Sequence, residues 1–164
     1  HETLIRAFAL LHNKYPEWSL RIVGDGDLRS FLQELSRKLL VDSKVIFVGS
    51  VENIEEEYKS ASFFAMSSLF ESFGLVTVEA MACQLPVVGF QNCPGTNELV
   101  VDKVNGILVS GSDRVNNFSA GMELLMTDKK LYESLKKNTK KTVERFSIKV
   151  VTSKWEKLLR KVAN

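Results

Sequence analysis

Two glutamates, Glu71 and Glu79, stand with seven residues between them in the segment Glu71-Ser-Phe-Gly-Leu-Val-Thr-Val-Glu79-Ala-Met-Ala. The pattern reads as a strand end, a turn and a helix start. Ser72 is an expected N-cap, which leaves the backbone N–H groups of Gly74, Leu75 and Val76 as unpaired first-turn donors at the positive end of a helix dipole, a site suited to a diphosphate. Gly74 lets an anion approach without interference from a Cβ, and Phe73 stands beside it. Glu71 lies just outside the turn, where its carboxylate can accept hydrogen bonds from sugar hydroxyls. Glu79 is deeper, and helical geometry turns it about 200° from Thr77, among Leu75, Val76, Val78 and Met81. The expectation is that Thr77 and Gln84 mark the polar face and that Glu79 points inward. A carboxylate there needs a partner, because an unpaired buried charge costs several kcal/mol. A vicinal diol, as in a ribose, would supply two donors at once; a salt bridge to an Arg or Lys, or a cap on a neighbouring helix, would also satisfy it. Glu71 alone could equally be an acid that stabilises a helix N-terminus.

Elements that place such a pair can be read from the pattern of apolar residues. Short β-branched runs at residues 19–23, 44–48, 62–66, 85–89 and 106–109 alternate with amphipathic stretches at about 2–15, 27–40, 53–60, 73–83 and 95–102. This alternation predicts an α/β fold, a Rossmann-like parallel sheet covered by helices on both faces. After Asp113 the strand signals stop, and helices are expected at 113–126, 129–145 and 147–162. Ligands of an open parallel sheet sit beyond the carboxyl ends of its strands. The loops there contain Gly24-Asp-Gly26, Gly49-Ser-Val51, the Glu71 segment and Asn92-Cys-Pro-Gly95. Gly24-x-Gly26 begins like a dinucleotide fingerprint, but its third glycine position is Arg29, so only a tight turn next to the ligand is expected.

The 164 residues, 45% hydrophobic, fit one domain. Apolar spacing begins at once in Leu4, Ile5, Phe8 and Leu11, and the reading is a fragment, residues 1–164, whose first strand and partner domain precede it. Nothing approaches the roughly 20 apolar residues that cross a bilayer. Cys83 and Cys93 lack metal-ligand spacing and read as packing residues of a reducing compartment, so a cytoplasmic location is expected. Residues 129–164 carry twelve Lys or Arg against three Glu. Lys136, Lys137, Lys140 and Lys141 fall at the spacing of a solvated helix face, although an anionic membrane surface would also attract them. No Asp-x-Asp pair occurs, and His1 and His12 lack ligating company, so neither a metal nor a cofactor is expected. The basic end is not interleaved with aromatics for base stacking, which argues against nucleic acid.

The Glu71–Glu79 segment resembles the E-x7-E element of the retaining glycosyltransferases that include sucrose-phosphate, glycogen and bacterial lipopolysaccharide or capsule synthases. Flanking segments agree: Leu4-Ile-x-Ala-Phe8, Leu20-x-Ile-Val-Gly-x-Gly26, Phe47-x-Gly49, Pro86-Val-Val88, Gly95-x-x-Glu98 and Asn105-Gly106. The resemblance covers nearly the whole chain and implies the C-terminal, donor-binding half of the two-domain GT-B architecture. It implies that Glu71 contacts the donor sugar as the catalytic glutamate. Ser72, Phe73, Gly74, Leu75 and Val76 would bind sugar and phosphates, Glu79 would hold the ribose, the base would lie near Gly49 and Val51, and Gly24 and Gly26 would line the crevice. It also implies an Arg and a Lys for the diphosphate ahead of residue 1, and a last helix, around Trp155, that packs toward the partner domain. Asn92-Cys-Pro-Gly95 departs from the family's paired glycines.

The activity expected of the whole protein is transfer of a hexose from a nucleoside diphosphate sugar to a glycan or lipid-linked acceptor, with retention and without a metal. The fragment alone would bind donor weakly and transfer nothing. A non-catalytic nucleotide-binding module and a nucleotide-sugar epimerase on the same fold are the alternatives, and a phosphorylase is disfavoured because no Lys stands in the crevice loops.

Overall fold

The computed structural model describes residues 1–163. Eight α-helices and five strands follow one another among the described residues: α1 (Glu2–Ala9), β1 (Leu20–Val23), α2 (Arg29–Lys38), β2 (Val45–Gly49), α3 (Ile54–Ser60), β3 (Phe64–Met66), α4 (Leu75–Ala82), β4 (Val87–Phe90), α5 (Thr96–Leu99), β5 (Gly106–Val109), α6 (Arg114–Thr127), α7 (Lys129–Val143) and α8 (Ile148–Val162), with a 3-10 turn (Glu144–Phe146) between the last two. The α/β alternation and the helical tail agree with the sequence. Two expected helices are shorter. α1 stops at Ala9, with Pro16 ahead to keep Tyr15 out of helical backbone, and α5 is a single turn that ends where Val100 becomes extended.

All strand pairs are parallel, but they form two sheets, β1–β2 and β3–β4–β5, in place of the one sheet expected. β4 is buried along its whole length. Its residues divide by parity: Val88 and Phe90 join the larger apolar cluster with Ile107 and Val109, while Val87 faces Met66, Met81 and Val100. A strand covered on both faces reads as a continuous apolar run, which Val87-Val-Gly-Phe90 is. The larger cluster seats Ile5 and Phe8 of α1, Leu32 and Leu35 of α2, and Phe118, Met122 and Leu125 of α6 on one side. α4 and α5 cover the other, and α7 reaches both, with Leu135 in the larger cluster and Val143 against the smaller one.

Aspartate caps start α6 and α7. Asp113 accepts from Asn116 N at 3.0 Å, and Asp128 accepts from Leu131 N at 2.8 Å. Each satisfies one of the amides a helix start leaves without a partner. α8 buries none of its residues, and Trp155 on it is 58% exposed, so it is not core.

Candidate functional site: the crevice at the start of α4

Because every strand is parallel, the loops after β1, β2, β3 and β4 emerge at one end of the sheets. The loops after β1 and β2 are tied together: Gly24 N donates to Gly49 O at 2.8 Å. Over them lies Arg29, at the position a dinucleotide fingerprint would reserve for glycine. It ion-pairs with Asp25 at 3.1 Å and donates to Phe47 O at 3.0 Å. Gly26 N donates to Asp25 Oδ1 at 2.8 Å, which closes the turn. Gly24, Gly26 and Gly49 are thus brought together, and Val51 follows in the loop that leads to α3.

The Glu71 turn is built against the loop after β4. Gly95 has φ +75°, and a Cβ on it would lie 2.7 Å from Glu71 O, so its bare backbone lets the two loops touch. Just past β3, Ser68 donates to Glu71 Oε1 at 2.9 Å, orienting a half-buried carboxylate toward the crevice. Arg114, at the start of α6, stacks its guanidinium 3.4 Å above the Phe90 ring and makes long contacts of 3.4 Å to Asn92 Oδ1 and Ser68 O. A fixed cation therefore lies behind the Glu71 turn. Sequence alone does not reveal it, because nothing in local spacing joins residue 114 to residue 68.

The cap of α4 differs from expectation. Ser72 is exposed and makes no side-chain cap; the N-cap is Gly74, in left-handed backbone with φ +80° and ψ +57°. Glycine adopts that conformation without the steric cost a side chain would carry. Thr77 N donates to Gly74 O at 2.9 Å. The amides of Leu75 and Val76 have no acceptor among the described residues, and they are the first-turn donors the sequence led us to expect. Leu75 and Val76 are 67% and 40% exposed, so this helix start meets the crevice with apolar side chains and free amides together. Phe73 is turned the other way, edge-on to Phe146 at 5.3 Å. That leaves its backbone as the part nearest the crevice.

The orientation of α4 corrects the expected faces. Thr77 is fully buried, with Ala80 and Met81, and its hydroxyl has no partner among the described residues; Glu79 is exposed. The inward face is set by small and apolar side chains at positions i, i+3 and i+4 that pack against β3 and β4. Glu79 projects from the opposite face, and its partner is neither Arg nor Lys. Tyr58 of α3 donates to Glu79 Oε2 at 3.2 Å and lies 3.3 Å from Val76 O. Burial, and next the adjacent Glu79 carboxylate, push the Tyr58 phenol well above its usual value, so it remains a neutral donor. Tyr58 also meets Phe64 edge-on at 5.9 Å, which fixes its ring. One carboxylate oxygen of Glu79 is thereby held while the other stays open. Tyr58 was not among the expected site residues; its signal is a tyrosine on the inner face of the helix that follows Val51.

Among the described residues, no group of three or more His, Cys, Asp or Glu side chains comes together as a metal would require. No helix among them is long and apolar enough to cross a membrane.

The sequence pattern of the Glycosyl transferases group 1 family matches residues 1–142. The chain belongs to this glycosyltransferase family. An uncharacterized glycosyltransferase of Haemophilus influenzae is 31% identical over 95% of the chain and 44% of its own length. A Campylobacter jejuni N-acetylgalactosaminyltransferase that acts on N-acetylgalactosamine-N,N'-diacetylbacillosaminyl-diphospho-undecaprenol is 33% identical over 89% of the chain and 39% of its length. Among solved structures, Anabaena HepE in complex with UDP-glucose superposes with a TM-score of 0.87 at 25% identity, covering 98% of the chain and 45% of that protein. The glycosyltransferase chain described here thus spans less than half the length of each of these proteins, and its fold is that of the C-terminal, Rossmann-like half of GT-B enzymes.

Proposed function

We propose that this chain is the donor-binding half of a retaining hexosyltransferase that uses a nucleoside diphosphate sugar and builds a cell-surface glycan on a glycan or lipid-linked acceptor. The observation that carries the reading is the start of α4. Free amides of Leu75 and Val76 lie between two carboxylates, Glu71 in the turn before the Gly74 cap and Glu79 on the exposed face of the helix. In this reading the diphosphate takes the amides and the sugar hydroxyls donate to Glu71. The ribose diol donates to the open oxygen of Glu79 that Tyr58 leaves free, and the base lies toward Gly49 and Val51. Gly24 and Gly26 line the same end of the crevice.

The acceptor hydroxyl attacks the anomeric carbon from the face the diphosphate leaves. As the new glycosidic bond forms, the carbon–phosphate-oxygen bond breaks; the leaving diphosphate takes the electron pair and accepts the hydroxyl proton. Preorganised donors at a helix start favour charge on the leaving group and need no reorganisation during the reaction. The reading assigns this role to the amides and to cationic side chains from the rest of the protein, without a metal or a resident cofactor. The cytoplasmic side of a membrane is the proposed setting, with the basic residues of α7 and α8 available for peripheral contact with anionic lipid. The Campylobacter relative's undecaprenol-linked acceptor and HepE's UDP-glucose support the substrate classes.

The test is the stereochemistry of the product. Full-length protein supplied with an α-linked donor should give an α-linked product by proton NMR, and Glu71→Gln should lower turnover by roughly 100-fold or more, as loss of a preorganised electrostatic contact does. A β-linked product would contradict retention.

A further inference from the structure

Arg114 is the first residue of α6, and its backbone is pinned from two directions. Asp113 caps the helix, accepting from Asn116 N at 3.0 Å and from Asn116 Nδ2 at 2.6 Å. Just ahead, Gly111 has φ +111°, and a Cβ on it would lie 2.7 Å from Asn117 Nδ2, so bare backbone lets the loop after β5 press on the first turn of α6. The side chain is fixed as well. Phe90 is 2% exposed, packs on the Phe118 ring at 5.0 Å and carries the Arg114 guanidinium 3.4 Å above its own ring. A planar cation over an aromatic face is held there by the ring quadrupole.

Among the described residues no carboxylate pairs with this cation, and its Nε is buried without a partner. An arginine that serves stability alone gains most from a bidentate carboxylate. The donors of Arg114 go instead to two loops: Nη1 lies 3.4 Å from Asn92 Oδ1 after β4, and Nη2 lies 3.4 Å from Ser68 O after β3. Both loops hold Glu71. Ser68 donates its hydroxyl to Glu71 Oε1 at 2.9 Å, and Gly95, in the same loop as Asn92, packs its backbone against Glu71 O. One residue, Ser68, therefore accepts from the arginine through its carbonyl and holds the glutamate through its hydroxyl.

We propose that Arg114 is a positioning residue for Glu71: it bridges the loops after β3 and β4 and fixes Ser68, whose hydroxyl then aims the Glu71 carboxylate at the donor sugar. The inference rests on the role proposed for Glu71. It concerns the sugar end of the crevice alone, because Glu79 is held separately, from α3, by Tyr58. Loss of Arg114 should therefore appear in turnover and not in nucleotide affinity.

The test uses the full-length protein. Turnover is read as release of nucleoside diphosphate from UDP-, GDP- or ADP-glucose, with whichever donor is cleaved fastest, and affinity as calorimetric titration of the matching nucleoside diphosphate. Arg114→Met keeps an apolar stem over Phe90 and removes every donor; it should lower kcat about 10-fold and leave nucleotide affinity within about twofold, as loss of a hydrogen-bonded brace remote from the nucleotide would. Ser68→Ala should lower kcat by a similar factor. Since both act through one carboxylate, the double variant should lose about 10-fold and not the product, about 100-fold. Should the methionine variant fail to fold, Arg114→Lys takes its place in the same cycle, since it keeps the charge and the stem but not the fork that reaches two loops. Unchanged kcat, a loss carried by nucleotide affinity, or a double variant that loses the full product would overturn the inference. Glu71→Gln, measured in parallel, separates this from failure of the donor-site reading. Full turnover in Glu71→Gln, or cleavage of none of the three donors, would remove that reading and this inference together; a slow Glu71→Gln beside a fast Arg114→Met would remove Arg114 alone.

Discussion

Tyr58 holds one oxygen of Glu79 and leaves the other open. If the open oxygen takes a ribose hydroxyl, loss of the tyrosine hydroxyl should leave the carboxylate present and less well oriented. Tyr58→Phe in the full-length protein should weaken nucleoside diphosphate binding by about 1 kcal/mol, the net worth of one hydrogen bond. Titration calorimetry checks this, and unchanged affinity would remove Tyr58 from the site. That Glu71 and the free helix-start amides stand at one turn was legible in residue types and spacing alone. The environment of Glu79 was not. Sequence reasoning placed Leu75 and Val76 inside because they are apolar and Thr77 outside because it is polar, yet the structure buries Thr77 and exposes the other two. Exposed apolar residues are common on proteins, and here they border the crevice, where a ligand rather than the core would cover them.

At the scale of elements, the site depends on two loops pressed together. Gly95 is where they meet, and its positive φ and the 2.7 Å approach to Glu71 O leave no room for a side chain. Gly95→Ala should cost about 1–3 kcal/mol of stability and lower turnover, because the Glu71 turn has to shift. Asp128→Ala removes the cap of α7 and should cost about 1 kcal/mol while leaving turnover unchanged. Denaturant unfolding and steady-state rates, measured side by side, separate the two effects; equal loss of turnover would mean that Gly95 acts only through stability. The order of strands and helices was readable because the apolar period changes from two residues to three or four at each boundary. The one-turn length of α5 was not, since Thr96-Asn-Glu-Leu99 carries too few residues to show a period. Gly74 as the cap also escaped notice: Ser72 has the better capping side chain, but only the glycine tolerates the left-handed backbone that starts α4 there.

For the molecule as a whole, apolar surface is exposed in several places. The two sheet edges face an open groove, Leu69 and Phe70 beside Glu71 are 74% and 69% exposed, and α8 lies on the body without burying a residue. These surfaces border the crevice, the groove between the sheets or the helical tail. A split into two sheets could not be read from the sequence, because strand periodicity identifies strands and not the neighbours they lack. Titration calorimetry of the full-length protein with UDP, GDP, ADP and their glucose conjugates tests the proposed donor site most directly. One nucleotide should bind selectively, and Glu79→Gln should weaken that binding by about 1.5–3 kcal/mol, the worth of hydrogen bonds to a charged group. Binding that is unchanged by Glu79→Gln, or no binding to any of these nucleotides, would contradict the donor site at the start of α4.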